Sequence, residues 1–379
     1  MREPYFKIAY AVAGEGRGHA VKSLSIAAEL QRFAEVKFFG GGDAFCLIRE
    51  TEHDIVEIPC LKLLFRNDRV HIPDTLKYCG SRWLKRKQII ANIKEQLQEY
   101  KADFVICDFE YFVPRAAAKL GLPVIQVSHQ VVLLTSKIDL PLRYWGNILK
   151  TFISSRLIIP NLNNALSVSF FSPPLKKSAE KIGVKIVPAC IRGSMKEKVN
   201  KGGLAENHVL VYFSCPTFFW IMPILKLFSQ EKFIVYGSDK IGMDGDNIEY
   251  KRISPTTFQD DLLASKAIIT NGGHNLLGEA IYFKKPVFAF YVEGQFEQFL
   301  NTYYLEKMQM GSCIRHKKNF QAEFSEFLNK LPQFKDKMEG VNRCGSEVVA
   351  GEVYRHLTGK ELPTEKSQAD TLAMSLEQQ

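Results

Sequence analysis

Ala267-Ile-Ile-Thr-Asn-Gly-Gly-His-Asn-Leu-Leu-Gly-Glu-Ala280, followed by Pro286-Val-Phe-Ala-Phe290 and Glu293-Gly-Gln-Phe-Glu-Gln298, is the stretch that decides how this chain folds. A short apolar β run meets a glycine pair. The chain then enters a helix that carries Glu279 about one and a half turns inside its start. Glycines let a backbone approach a ligand closely, and the first N–H groups of a helix are unpaired donors at the positive end of its dipole. The combination predicts a diphosphate cradle at Gly272 and Gly273, with the Glu279 carboxylate placed to hold ribose hydroxyls.

Outward from that unit the same alternation recurs. Before it, Val209–Phe213, Phe233–Tyr236 and Ile248–Tyr250 read as strands, with a helix near Phe258–Ala264. After it come a strand at Val287–Phe290 and helices at Phe296–Met308, Phe320–Leu331 and Val341–Leu357. The first half repeats the pattern, with strands at Phe6–Ala13, Val36–Phe39, Ile55–Ile58, Phe104–Cys107 and Pro123–Val127. Helices fall at Ala20–Phe33, Ser81–Tyr100 and Val113–Leu120, and a glycine turn at Gly40–Gly42. Beyond these lie a helix after Pro141 and strands near Leu166–Phe170 and Val184–Val187. Strands that are apolar throughout and separated by helices indicate parallel sheets covered on both faces.

The fold class is therefore α/β, with two tandem Rossmann-like domains whose parallel sheets face a central cleft. The expected divisions are residues 1–190, a Gly- and Lys-rich linker over 191–207, a second domain over 208–339, a closing helix over 340–358 packing back on the first domain, and a disordered tail over 359–379.

Bulk properties agree with a soluble two-domain protein: 379 residues, 46% apolar, 24% charged and 27 Phe. The eight cysteines are scattered without C-x-x-C spacing, a pattern of reduced thiols rather than disulfides or zinc. No apolar run approaches the ~18 residues a membrane span needs. The expected location is the cytoplasm, with peripheral attachment to the inner face of the membrane as the variant. Net charge is +9, and residues 62–101 hold ten Lys or Arg against four Asp or Glu, so this segment carries most of the excess. That segment is either a solvated basic helix face or a contact for an anionic surface.

The first strand ends in Ala13-Gly-Glu-Gly-Arg-Gly-His19. This is G-x-G-x-G, short of the dinucleotide fingerprint, and no acidic residue closes the second strand to hold a ribose. Gly16 and Gly18 turn the chain into a helix, and His19 stands at the mouth of the cleft. Its ordinary pKa near neutrality suits a general base. Asp108 ends the strand Phe104–Cys107. Carboxyl ends of parallel strands share one edge, so Asp108 can reach His19 and orient its imidazole. The other reading of Asp108 is a cap for the following helix.

Gly16-Arg-Gly-His19, Val105-Ile-Cys-Asp108 with Ala116-Ala-Ala-Lys-Leu-Gly-Leu-Pro-Val124, and Thr270-Asn-Gly-Gly-His-Asn-Leu-Leu-Gly-Glu279 with Glu297-Gln298 together resemble the inverting glycosyltransferases of the GT-B fold. These include the UDP-sugar glycosyltransferases and the peptidoglycan N-acetylglucosaminyltransferase. The resemblance implies His19 as the base that deprotonates the acceptor hydroxyl and Asp108 as its partner. It places Gly272, Gly273, His274 and Asn275 on the diphosphate, Glu279 on the ribose, and Glu297 and Gln298 on the donor sugar. Arg252 and Ile253 would lie by the uracil, and Ser214 would stand where many relatives have a phosphate-facing glycine. His274 reads equally as a capping or packing residue.

A UDP-sugar donor substrate is implied, with no metal ion and no further cofactor. Developing charge on the departing diphosphate is met by helix N–H groups, and Asp244-Gly-Asp246 reads as turn chemistry rather than a metal motif. Arg82 and Lys85-Arg-Lys87 around Trp83, and Cys60-Leu-Lys-Leu-Leu-Phe-Arg66, suit an anionic membrane surface. The expected acceptor is therefore a hydroxyl on a lipid or other cell-envelope glycoconjugate. No nucleic-acid-binding motif is present. A UDP-sugar 2-epimerase and a catalytically silent nucleotide-sugar-binding protein are the competing readings of the same fold.

Overall fold

The computed structural model describes residues 5–363 except 63, 67–68, 142–143, 201–205, 293 and 315–316. In chain order the first half runs β1 (Phe6–Val12), α1 (Arg17–Leu30), β2 (Ala34–Gly40), α2 (Gly42–Ile48), β3 (Ile55–Glu57), a short antiparallel pair β4 (Phe65–Arg66) and β5 (Arg69–Val70), α3 (Ile72–Leu84), α4 (Arg86–Tyr100), β6 (Phe104–Asp108), α5 (Val113–Lys119), β7 (Val124–Gln126), α6 (Val131–Thr135), α7 (Trp145–Ile158), β8 (Leu166–Val168), α8 (Lys177–Lys181), β9 (Lys185–Val187) and α9 (Gly193–Asn200). The second half runs β10 (His208–Tyr212), α10 (Met222–Leu225), β11 (Phe233–Tyr236), β12 (Gly242–Met243), β13 (Ile248–Tyr250), α11 (Pro255–Leu263), β14 (Ser265–Asn271), α12 (His274–Tyr282), β15 (Val287–Phe290), α13 (Phe296–Lys307), β16 (Gly311–Cys313), α14 (Phe320–Asn329), α15 (Leu331–Lys337) and α16 (Gly345–Thr358).

The first sheet has the order β3-β2-β1-β6-β7 and is parallel throughout. A Val127–Leu166 bridge extends it toward the parallel pair β8-β9. Successive residues of a strand face opposite sides, so β1 splits its side chains between two helix layers. Ile8, Tyr10 and Val12 pack with Ile26 and Leu30 of α1 and with Val349 and Val353 of α16. Ala9 and Ala11 pack with Ile90, Ile93 and Leu97 of α4 and Ala116 of α5. Each fully buried aliphatic side chain contributes about 1.5–3 kcal/mol, so this two-sided burial is what makes the strand apolar at every position.

The second sheet, β12-β13-β11-β10-β14-β15-β16, is parallel except for the β12-β13 edge pair. One of its faces is an aromatic cluster in which Phe288 and Phe290 meet Phe320 and Phe324, which accounts for much of the phenylalanine. Both sheets reverse strand order at their centre. In the first the reversal lies between β1 and β6, and in the second between β10 and β14. Open α/β sheets bind ligands at that place.

Four local readings change. The single helix Ser81–Tyr100 is two, α3 and α4, broken at Lys85, whose backbone (φ −87°, ψ 5°) leaves the helical well. The glycine turn at Gly40–Gly42 leads directly into α2, with Gly42 at φ 55°. The 191–207 segment carries a helix, α9, that buries Met195 in the second core. The tail begins as packed chain: Leu362 lies on the first core, Glu361 pairs with Arg355, and Arg32 donates to Pro363 O. Residues 364–379 lie outside the described residues.

Candidate active site

The loop after β1 and the end of β6 are held together by backbone before any side chain is considered. Val12 pairs with Asp108 in the parallel register, and Ala13 N–H donates to Asp108 O at 2.9 Å. Gly16, at φ 72°, makes the turn into α1, and its N–H donates to Asp43 of α2 at 2.9 Å. Starting the helix there brings His19 and Lys22, three residues apart on one helical face, over Asp108.

His19 Nδ1 donates to Asp108 Oδ2 at 3.0 Å, and Lys22 Nζ donates to Asp108 Oδ1 at 2.8 Å. Asp108 is fully buried and His19 keeps 20% of its side chain exposed. Burial works to raise the Asp108 pKa, but the charges of His19 and Lys22 outweigh it and hold the carboxyl below its ordinary range. For His19, burial works against the imidazolium, yet the charge and hydrogen bond of Asp108 together lift its pKa above the ordinary histidine value. With Nδ1 donating to a carboxylate, the proton-accepting atom is Nε2.

Phe109, next in the chain, lies in the left-handed region at φ 52° and stacks over His19 at 6.3 Å between ring centroids. A non-glycine residue held there stores backbone strain beside the reactive imidazole. The Ala13–Gly14 and Phe109–Tyr111 segments floor a crevice closed by Cys60, Leu61 and Ile158. Its volume of about 10 Å³ holds no more than one water.

Across the cleft, the glycine pair sits between β14 and α12. Gly273 caps α12 in extended geometry (φ −69°, ψ 126°), which leaves the N–H groups of His274, Asn275 and Leu276 without helical carbonyls to bond. A Cβ at Gly272 would come within 2.7 Å of Gln298 O and of Thr302 Cγ2, so glycine lets α13 pack directly on the loop. Asn301 Nδ2 donates to Gly272 O at 2.9 Å and fixes that carbonyl. Ser214, exposed after β10, is tied to Asn271 in both directions: its N–H donates to Asn271 Oδ1 at 3.1 Å and its Oγ accepts from Asn271 Nδ2 at 2.9 Å.

Asn275 Nδ2 donates to Gly18 O at 2.6 Å, joining the two loops directly. His274 Nδ1 lies 3.3 Å from Oδ1 of the same Asn275. The His274 side chain is buried, its ring stacks on His129 at 3.9 Å, and its Nε2 has no hydrogen-bond partner among the described residues. Burial, then His129, pushes its pKa well below the ordinary value, so it is neutral.

Glu279 is buried and bidentate to Arg192, with Nε donating to Oε1 at 2.6 Å and Nη2 to Oε2 at 2.7 Å. Glu297, at the start of α13, accepts from Gln130 Nε2 at 2.9 Å, and Gln298 Oε1 accepts from Val292 N–H at 3.0 Å. Arg252 and Ile253 are exposed on the β13–α11 loop at the same sheet edge. The larger cavity, about 420 Å³, is lined by Phe219, Met222, Lys226, Lys240, Asp244 and Tyr250 and by none of the predicted donor residues. Among the described residues, no three His, Cys, Asp or Glu side chains gather as a metal site.

Sequence reasoning missed Lys22, Arg192, His129, Gln130 and Asn301. The signal for His129 and Gln130 was present: Ser128-His129-Gln130 follows an apolar strand at the same sheet edge as His19 and Asp108. The helix expected after Pro141 is α7, but its outward stripe was not foreseen: Trp145, Leu149, Ile153 and Leu157 recur every fourth residue, each more than half exposed.

The glycosyl transferase family 1 model matches residues 6–332. Proteins of Methanosarcina mazei and Methanosarcina acetivorans, each named an uncharacterized glycosyltransferase, are 24% identical over 94% of this chain and 98% of their own. The calicheamicin glycosyltransferase CalG4 superposes with a TM-score of 0.64 at 16% identity, covering 96% of this chain and all of that one. Medicago truncatula UGT71G1, complexed with UDP-glucose, gives 0.63 at 12% identity, covering 93% and 98%. Acinetobacter baumannii MurG gives 0.57 at 12% identity, covering 93% of this chain and all of that one. These superpositions identify the fold as GT-B, and the chain belongs to glycosyl transferase family 1.

Proposed function

We propose that this glycosyltransferase moves a hexose or N-acetylhexosamine from a UDP-sugar to an acceptor hydroxyl by direct displacement, with His19 as the base. The observation that carries the reading is the His19–Asp108 pair, which leaves Nε2 as the proton acceptor beside the helix N-terminus that suits a diphosphate. Nε2 takes the hydroxyl proton as the acceptor oxygen bonds to the anomeric carbon. The sugar–phosphate bond breaks with its electron pair on the diphosphate, where the α12 N–H groups meet the new charge.

The UDP-glucose complex of the Medicago truncatula enzyme supports a uridine nucleotide as the donor's carrier. The Arg192–Glu279 pair holds the ribose-binding carboxylate in place, and further lone pairs on its oxygens remain for hydroxyls. For the acceptor, the basic 62–101 segment and the exposed stripe of α7 support a lipid or envelope glycoconjugate met at an anionic membrane surface. Arg115 ties the two regions together. Its guanidinium covers Tyr111, which lies against Trp83 of α3, and it donates to Leu157 O and Ile158 O at the end of α7. Both therefore border the acceptor crevice. No helix among the described residues is long and apolar enough to cross a membrane.

His19→Ala tests the reading. Transfer from a UDP-sugar should fall by several orders of magnitude while UDP still raises the melting temperature by mass action. Full transfer activity in that variant would remove His19 as the base, and absence of any UDP-induced shift in the wild type would remove the donor.

A further inference from the structure

We propose that Lys22 is a positioning residue of the transfer reaction: it holds Asp108 as a carboxylate aimed at His19 and, by its own charge, leaves the imidazole free to accept a proton. The inference rests on His19 as the base.

The cluster is built from one helix face and one strand end. Asp108 is 0% and Lys22 4% exposed, so neither charge has water as its partner. The two carboxylate oxygens are divided between two donors, Oδ1 to Lys22 Nζ and Oδ2 to His19 Nδ1, with Ser23 Oγ a further 3.5 Å contact to Oδ2. Lys22 Nζ also reaches Val127 O at 3.4 Å, which spans the ends of β6 and β7.

A buried carboxylate must be neutralised, either by a proton or by a cation. Lys22 Nζ supplies such a cation 2.8 Å from Oδ1, so a cluster of ammonium, carboxylate and unprotonated imidazole carries no net charge. Without it, the cation left on Asp108 among the described residues is a protonated His19, and a protonated base is no base. Lys22 also acts at the moment of transfer. When Nε2 takes the acceptor's proton the cluster becomes singly positive, just as the sugar–phosphate electron pair adds negative charge to the diphosphate.

Other groups face His19 from neighbouring elements. Glu297 on α13 favours its protonation, as Asp108 does, whereas Lys22 opposes it. His274 on α12 lies within electrostatic reach, and both it and His129 also sense Lys22. Lys22 is thus the cation set against two carboxylates around one imidazole. Two cations on opposite oxygens of a single carboxylate interact by about one to two pH units at an effective dielectric of ~20.

The experiment titrates His19 in the substrate-free protein by NMR with labelled histidine, and separately follows kcat/KM for transfer against pH, in wild type, Lys22→Met, Lys22→Gln and Lys22→Arg. Expected is a His19 midpoint raised by at least one pH unit in the Met and Gln variants. Transfer at pH 7 should drop tenfold or more through kcat, recover toward wild type at alkaline pH, and return in the Arg variant. Two neutral replacements guard against one failing to fold. A His19 midpoint that stays or falls without Lys22, or activity lost equally at every pH, overturns the proposal and leaves a packing role. The NMR midpoint does not depend on His19 being the base, so it separates failure of this inference from failure of the His19 assignment, which the His19→Ala assay judges.

Discussion

Replacing Gly273 by alanine tests the phosphate cradle without disturbing the fold that presents it. The backbone at Gly273 (φ −69°, ψ 126°) is open to any residue, and an added Cβ would find Asn271 O at 3.7 Å, an ordinary contact. Alanine also narrows the unfolded ensemble, which stabilises by about 0.4–1 kcal/mol. The unliganded variant should therefore melt at the wild-type temperature or a few degrees above it. Donor binding is a different matter. A methyl at the first capping position stands where a diphosphate must close on the N–H groups of residues 274–276. Loss of one charge-assisted hydrogen bond is about 1.5–3 kcal/mol, so affinity for UDP should fall roughly 10- to 150-fold by calorimetry.

The neighbouring glycine supplies the contrast. Alanine at Gly272 drives a Cβ to 2.7 Å from Gln298 O, a backbone atom that moves only with α13. Overpacking of that kind costs about 1–3 kcal/mol, and the unliganded protein should melt several degrees lower. Wild-type UDP affinity in Gly273→Ala would refute the cradle, and an unchanged melting temperature in Gly272→Ala would refute the packing argument.

Asp108→Asn keeps the shape but not the charge that orients His19. Transfer should fall about 10³–10⁴-fold with UDP affinity within a factor of two, read by initial rates and calorimetry; a fall under tenfold would sink the dyad. Arg192→Met strands the buried Glu279 carboxylate and should lower stability by up to about 3 kcal/mol in denaturant titration. The Arg192→Met, Glu279→Met double variant should regain much of that loss yet bind UDP weakly. Glu110 is buried and accepts from Phe112 and Val113 N–H, and burial pushes its carboxyl up to about 7. A folded value above the unfolded one means that its contribution is fully present below about pH 4.5 and is lost as pH rises through 7, roughly 3 kcal/mol in all. Glu110→Gln should flatten the stability curve between pH 5 and 8, and an unchanged slope would exclude Glu110 as its source.

The sheets were legible because their strands are buried on both faces. Phe104–Cys107 and Val287–Phe290 show no exposed position, and a short, unbroken apolar run between helical stretches has to be covered on both sides. His19, Asp108 and the glycine pair were legible for a related reason, since each ends such a strand or lies in the loop and helix start that follow it, and strand ends share an edge. What stayed hidden depends on distance along the chain. Arg192 and Glu279 are 87 positions apart and His129 and Asn301 172, with no local pattern linking either pair. Lys22 was hidden differently, because a lysine three residues after His19 reads as an exposed helical cation until its partner is known. Helix α7 inverts the usual rule: an apolar side chain at every fourth residue ordinarily marks the buried face, and here that stripe faces outward.

The contacts across the cleft come from the same residues as the candidate site. Asn275 reaches Gly18 O, Glu297 takes Gln130, and His129 lies 2.9 Å from Asn301, whose other end fixes Gly272 O. In the proposed donor site, a diphosphate on the α12 N–H groups would compete for the space that Asn275 uses to hold Gly18, and a sugar on Glu297 would compete with Gln130. Donor binding there would exchange the hydrogen bonds that now join the two sides of the cleft. The segment from Gly16 to His19 is the first part of the opposite domain to sense the exchange. Because α1 carries His19 and Lys22 as one rigid face, a shift of that loop moves the base and its counter-charge together. Asp108 stays behind on β6, so such a shift would be felt first at its two hydrogen bonds to His19 and Lys22.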